Sequence, residues 1–391
     1  MPARRAGVRP GGGCLVVTAM VVIGTRPEAI KMAPVVRAIR QVPDRMRAVV
    51  CATGQHREML HQALALFDLE ADVDLDVMAP DQSLASLTAR VVIGVDEAIA
   101  RFRPDWVLVQ GDTTSAMAAG LAAFYRGVPI GHIEAGLRTG QRRQPFPEEI
   151  NRRITDLMSD LYFTPTERTR ANLLREGVPD DDIVVTGNTV IDALLQMADD
   201  VAGEPLHEVP VDLQGQRLIL VTSHRRESFG APFQAICHAV GELADRYRND
   251  AHVVFPVHYN PHVRQPAHDI LGGRANVHLV DPVDYRTMVK LMARAHVVLT
   301  DSGGVQEEAP SLDKPLVVMR EVTERQELVE AGAALLVGTD ACAIVDSVRT
   351  LMDDDERYRR MADVPNPYGD GTASKRIVRA VLERAALPRP A

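Results

Sequence analysis

The sequence is poor in the features that mark several large protein classes. Its 391 residues include only four cysteines, Cys14, Cys51, Cys237 and Cys342, with no CxxC or Cys/His spacing. That pattern excludes a disulfide framework and a zinc site read from spacing, and fits small buried thiols in a reducing, cytoplasmic compartment. Positive charge is also short: 44 Lys and Arg against 53 Asp and Glu give a formal net charge of -9. General binding to nucleic acid or an anionic membrane needs a basic face, so both are excluded as partners, while a local basic pocket for a small anion is not. No segment approaches the ~20 consecutive apolar residues of a membrane span. There is no GxxxxGK, no GxSxG and no GxGxxG after the first strand, which argues against P-loop NTPases, α/β-hydrolases and ordinary dehydrogenases.

What is present is ordinary in bulk: 46% apolar and 25% charged residues, as in soluble globular proteins. The length predicts two domains. Arg4, Arg5 and Arg9 precede an apolar stretch, Cys14 to Ile23, that resembles a short signal peptide. The stretch runs straight into a strand-to-helix turn, Gly24-Thr25-Arg26-Pro27-Glu28, so the preferred reading is a flexible tail over 1–19 followed by strand one. Short apolar runs then alternate with helical patterns. Strands are expected at 20–23, 49–52, 106–109, 128–133, 161–165 and 183–186. Helices are expected at 27–40, with Pro27 in its first turn, and at 84–101, with Leu84, Leu87, Val91 and Val95 on one face. The pattern loosens over 192–216, which reads as an interdomain connection. It restarts with strands at 218–222, 253–257, 277–280, 297–300, 316–319 and 334–336, and a last helix at 373–384. The βαβα order predicts an α/β protein of two Rossmann-like, doubly wound parallel sheets. Expected bounds are 20–192 plus 368–391 for one domain, with the last helix returning to it, and 193–367 for the other.

The carboxyl ends of strands in such sheets are where ligands bind, and chemistry-bearing residues collect there. The apolar run ending at Val109 gives way to Gly111-Asp112, the next ends in Glu134-Ala135-Gly136, and Glu148 follows a Pro-Phe-Pro turn. Three carboxylates around one cleft are candidates for proton transfer, since repulsion and burial push such groups toward separate acid and base roles. Asp112 also fits a plain helix N-cap. His132, His224 and His258 are alternative proton carriers, His132 fitting better as a packed core histidine. Asp301-Ser302-Gly303-Gly304 opens a helix, where glycines admit a ligand close to the backbone and free N–H groups suit phosphate. Glu308, one turn on, is placed to accept from a ribose diol. Arg26 and Lys31 flank the first turn and, with His224-Arg225-Arg226, could meet a diphosphate.

Taken together, GTRPEAIKMAPV, TGQHREML, QGDTTS, GHIEAGLRTG, PFPEE with Asn151-Arg152, TGNTVIDALL, TSHRRESFG, DSGGVQEEAPSL and NPYGDG resemble the non-hydrolysing UDP-N-acetylglucosamine 2-epimerases. The resemblance runs in order from about Met20 to Leu387. It implies the glycosyltransferase-B fold, with the active-site cleft between the two domains, no metal, no cofactor and a homodimer. It implies reversible epimerisation at C2 of UDP-GlcNAc to UDP-ManNAc, by anti elimination of UDP to 2-acetamidoglucal and re-addition. Matched by motif, Asp112, Glu134, Glu148 and His224 are catalytic. Arg26, Lys31, Arg138, Ser302, Gly303, Gly304, Glu308 and Arg325 hold substrate. Gln55 and His258 match a second, activating UDP-GlcNAc site of many bacterial members. Departures from the family pattern are Tyr259, Met288 where an aromatic often packs on uracil, Ser223, and a basic Gln141–Gln144 segment. They leave room for a modified UDP-HexNAc substrate in a polysaccharide or antibiotic pathway. A glycosyltransferase of the same fold and a catalytically silent UDP-sugar sensor are the competing readings, and three intact carboxylates speak against the sensor.

Overall fold

The computed structural model describes residues 16–54, 57–79, 81–207, 209, 211, 213 and 215–387. They fall into two compact units. The first holds the chain up to Thr164, Arg168–Val184 and the residues from Ser374 onward; the second holds Pro165–Glu167 and Val185–Ala373.

In the first unit the strands are β1 (Val17–Ile23), β2 (Met46–Ala52), β3 (Val73–Asp74), β4 (Trp106–Gln110), β5 (Ile130–Ile133), β6 (Leu161–Thr164) and β7 (Ile183–Val185). β1 starts three residues before the strand expected from sequence; residues 1–15 of the expected tail lie outside the described residues. The sheet order is β3-β2-β1-β4-β5-β6-β7. β1 pairs in parallel with both β2 and β4, in registers such as Val21↔Val50 and Val21↔Leu108. Near-continuous Val, Ile and Leu in these strands follows from burial on both faces. The chain winds outward from β1 to β3 and then returns to start β4 on the other side of β1. That reversal is a topological switch point.

The helix Leu84–Phe102 buries Leu87, Val91 and Val95 as its spacing predicts. Leu84 departs from that prediction: it is 44% exposed, because it sits in the first turn, beyond the reach of the sheet. The final helix, Ala373–Ala385, belongs from Ser374 on to this first unit, and Arg384 Nη1 reaches Asp182 Oδ1 at 2.6 Å.

The second unit carries β8 (Arg217–Thr222), β9 (Ala251–Pro256), β10 (Val277–Val280), β11 (Val297–Thr300), β12 (Leu316–Val318) and β13 (Ala334–Leu336). Its order is β10-β9-β8-β11-β12-β13, every pairing parallel. The switch point here lies between β8 and β11. The stretch read from sequence as a connection begins inside a helix, Thr189–Asp200, whose Val190, Ile191, Ala193, Leu194 and Met197 are buried. Among the described residues no helix is long and apolar enough to cross a membrane.

Phe163, with no exposed surface in β6, gives a stability test of the first unit. Phe163→Ala is expected to cost about 3–5 kcal/mol, read as a lower urea midpoint for the transition in which this unit unfolds. A change under about 1 kcal/mol would show that the site collapses without a cavity.

Candidate active site

Each switch point gathers residues singled out from the sequence. At the first, β1 exits into Gly24-Thr25-Arg26 and β4 into Gly111-Asp112-Thr113. The N-cap of the helix Thr114–Tyr125 is Thr113, whose Oγ1 accepts from Ala116 N at 3.0 Å. Asp112 is therefore not the cap, and its carboxylate is released for other contacts. Arg152 Nη2 donates to it, and Asn151 Nδ2 donates to its backbone carbonyl at 3.0 Å. Both partners come from the helix Glu148–Met158.

Glu134 follows β5 in the left-handed region, with φ at 68°. For a residue with a side chain this is uncommon and costs of order 1–3 kcal/mol. Lys31 Nζ binds its Oε2 at 2.5 Å and Gln110 donates to the same atom. Gly136 completes the turn at φ 82°; a Cβ there would stand 2.3 Å from the Thr169 carbonyl, so only glycine fits. Glu148 opens its helix behind Pro147, which supplies no side-chain cap. Its Oε2 is buried and has no hydrogen-bond partner among the described residues. A carboxylate oxygen left in that state costs stability unless a ligand uses it.

Arg26, half-buried, opens the first helix. Arg138 is more committed than its expected role in substrate binding requires. Its Nε and Nη2 bind the Glu176 carboxylate at 2.8 and 2.7 Å, Nη2 also reaches Asp156 at 2.7 Å, and Nη1 binds the Leu137 carbonyl. The basic segment from Gln141 to Gln144 is exposed, and Gln144 N closes on the Gln141 carbonyl at 2.9 Å.

The second switch point is anchored by Asp301, which has no exposed surface. Its Oδ2 accepts from Ser223 Oγ, His224 N and Arg225 N at 2.9, 2.8 and 2.9 Å. His224 stacks on His258 with ring centroids 5.8 Å apart. A cavity of about 370 Å³ is lined by His224, Arg225, Arg226, Phe229, His258, Asn260, Ser302 and Gly303. A more apolar one of about 170 Å³ shares His224, His258 and Ser302 and adds Pro256, Pro282, Val283 and Met288. Ser302 precedes the short helix and caps it with no side-chain bond.

The two glycines here do different things. A Cβ on Gly303 would meet the Arg325 guanidinium at 3.1 Å, whereas Gly304 has nothing within 4 Å. Gly303 therefore makes room for Arg325, and Gly304 is the one left open to a ligand. Arg325 itself is bound to Glu307 at 2.7 Å and to Glu324 at 3.3 Å. Glu308 is buried and accepts from the Tyr285 hydroxyl at 2.8 Å. Gln55 lies outside the described residues.

Three positions carry contacts that the sequence reading did not assign to them: Asp301, Tyr285 and Glu28. Glu28 is 2% exposed. Its Oε2 accepts from Gly24 N at 3.0 Å and its Oε1 from Thr113 Oγ1 at 2.8 Å, so it ties the exits of β1 and β4 together. Burial pushes its carboxyl up to about 7, against hydrogen bonds from Thr25, Thr113 and Gly24 that lower it. A raised folded value means that stability from this group is complete below 4.5 and is lost as pH rises through about 7. Nothing in the sequence separates Glu28 from an ordinary acidic residue in a first helical turn.

Two doubly wound parallel α/β units, one with carboxylates at the strand exits beside its switch point and the other with a cationic cavity and a smaller apolar one at its own, define a two-domain protein of the glycosyltransferase-B class. Residues 37–382 match the family model described as UDP-N-acetylglucosamine 2-epimerase. The Escherichia coli K12 UDP-N-acetylglucosamine 2-epimerase is 51% identical over 368 residues, 93% of this chain and 97% of that protein. Its Yersinia pestis counterpart is 50% identical over 370 residues, 93% and 97% of the two chains. The structure of the Neisseria meningitidis UDP-GlcNAc 2-epimerase bound to UDP-GlcNAc superposes with a TM-score of 0.84 at 46% identity, covering 94% of this chain and 100% of that one. This chain belongs to the UDP-N-acetylglucosamine 2-epimerase family.

Partial burial holds the His224 imidazole below its ordinary 6.5; Asp301 opposes the shift, and His258 and Arg225 reinforce it. The folded state binds this proton less tightly than the unfolded chain does, so acidification through the titration costs stability. Proton NMR of the His224 ring should give a midpoint below 6.5; a midpoint at or above that value would remove the neutral imidazole from the site.

Proposed function

We propose that this chain interconverts UDP-GlcNAc and UDP-ManNAc as a non-hydrolysing 2-epimerase. The observation that carries the reading is the release of Asp112 from helix capping, with Glu134, and Glu148 whose Oε2 has no hydrogen-bond partner among the described residues, at the same sheet's carboxyl edge. The C2 proton is weakly acidic, so a positioned carboxylate removes it as the C1–O bond to UDP breaks, leaving 2-acetamidoglucal. UDP then adds back to C1 while a second carboxylate delivers a proton to the other face of C2. In the second unit, the apolar cavity with Met288 and Pro282 takes the uracil. The cavity with His224, Arg225, Arg226 and Ser302 takes the diphosphate, whose developing charge needs cationic and N–H donors. Gly304 allows the close approach, Glu308 accepts from the ribose, and Arg26 and Lys31 are the first unit's substrate contacts. Arg325 supports this cradle through Glu307 and Gly303, and Arg138 supports the carboxylate turns through Asp156.

The chain also reads as a cytoplasmic homodimer. Phe124 and Tyr125 are 59% and 69% exposed, and Leu157, on the helix next to theirs, is 85% exposed. Exposed apolar clusters of this kind mark protein contacts.

Proton NMR in D2O with UDP-GlcNAc and no acceptor tests the reaction. Deuterium should enter C2 and UDP-ManNAc should accumulate. A transferase gives neither, and the absence of both exchange and product rules the epimerase out for this substrate. Asp112→Asn and Glu134→Gln should each lower kcat by about 10²–10⁴-fold, with UDP affinity by calorimetry retained. Near-full activity in either variant would remove that carboxylate from the mechanism.

A further inference from the structure

His132 is fully buried in β5, and among the described residues neither ring nitrogen faces a donor. Nδ1 lies 2.6 Å from Asp156 Oδ1, and Nε2 lies 2.8 Å from the Gly111 carbonyl oxygen. A neutral imidazole has one N–H and one lone pair. Set between a carboxylate and a carbonyl, it would turn that lone pair onto an acceptor. Two N–H groups satisfy both contacts, so the geometry calls for a ring that carries both protons.

Asp156 is built as the counter-ion. Its other oxygen accepts from Arg138 Nη2 at 2.7 Å and from Gly136 N at 3.4 Å. Burial alone would raise this carboxyl, but His132 and Arg138 outweigh it and hold it below the usual carboxylate range. The surrounding charge is mixed: Arg138 is itself paired with Glu176, and the Tyr162 hydroxyl donates to the Asp156 backbone carbonyl at 2.8 Å.

The pair reaches two turns at once. Gly111, at φ 72°, is the residue before Asp112. Its carbonyl is pinned by His132, and the next carbonyl, that of Asp112, by Asn151. Gly136 closes the turn that presents Glu134. We propose that His132 is a positioning residue kept as a buried imidazolium, which with Asp156 fixes the turns carrying Asp112 and Glu134. The functional half rests on the roles proposed above for those carboxylates; the protonation state does not.

Nitrogen-15 NMR of histidine-labelled protein, with His132 assigned by loss of its signals in His132→Asn or His132→Gln, tests the charge directly. Both ring nitrogens should show protonated shifts, and their protons should exchange slowly. An unprotonated shift at either nitrogen overturns the proposal. Kinetics test the positioning. His132→Asn, which keeps the reach to Asp156 and loses Gly111, should lower kcat about 10²-fold. Its KM for UDP-GlcNAc should stay within about threefold, the pattern of an interaction felt in the transition state. His132→Gln, which keeps a donor toward Gly111, should recover part of that loss. A folded His132→Asn with kcat within about twofold of the unsubstituted protein overturns it. Should His132→Asn not fold, the His132→Gln kinetics and the spectrum of the unsubstituted protein decide. Lack of any turnover by the unsubstituted protein sinks the epimerase reading and leaves the spectrum to judge the imidazolium.

Discussion

A buried carboxylate at each switch point holds the exit turns of the two central strands. Where adjacent parallel strands leave a sheet in opposite directions, their backbone N–H groups lose ladder partners, and buried donors must be satisfied some other way. Glu28 accepts from one such N–H, that of Gly24 after β1, and from the Thr113 hydroxyl after β4, while Asp301, after β11, accepts from His224 N and Arg225 N after β8. Both are almost fully enclosed. The cost of burying such a group falls only when donors converge on it, and that convergence fixes the loops. Site geometry and fold stability are therefore one problem here: loosening Asp301 would release His224 and Arg225 together.

This division explains what could be read from the sequence. Strands buried on both faces appear as plain apolar runs, so both doubly wound sheets were visible within a few residues at each end, except the two-residue edge strand β3 (Val73–Asp74), which is too short and too polar to show as such a run. Motifs at strand exits were visible because glycine and charge interrupt those runs. The supporting carboxylates were not. Glu28 sits in a first helical turn where any acidic residue is favourable, and Asp301 reads as the start of a glycine-rich turn. Their partners, Thr113 at 2.8 Å and Ser223 at 2.9 Å, lie 85 and 78 residues away. Periodicity reports which face of an element is buried; it says nothing about which polar groups meet inside. Leu84 and Asp112 show the same limit locally. One was assigned to a buried face and stands at the helix entrance; the other fits a cap, a role that its neighbour Thr113 fills.

Charge shows a related contrast between whole and part. The chain is acidic overall at -9, yet the larger cavity of the second unit is lined by two arginines and two histidines. Net charge governs long-range encounter, while a lined cavity sets the local potential felt by a bound anion. An acidic surface with a cationic pocket disfavours polyanions that need an extended basic face and still leaves room for one small anion. Arg325 contributes indirectly, since its guanidinium is spent on Glu307 and Glu324. It shapes the cradle by packing against Gly303, and Gly304 remains open.

The turn after β5 makes the strongest case that this edge of the sheet is built for chemistry. Left-handed backbone at Gly111 and Gly136 is taken by glycine, which adopts it without steric cost. Between them the chain places Glu134 at φ 68°, where glycine would relieve the strain and asparagine would tolerate it better. A side chain is kept there at a cost that the fold must offset, and the offset is visible in Lys31 and Gln110 converging on one carboxylate oxygen. Stability alone gives no reason to hold an acidic residue in that conformation. A requirement for a carboxylate at a fixed point above the strand end does, and strain of this kind gathers at functional sites for that reason.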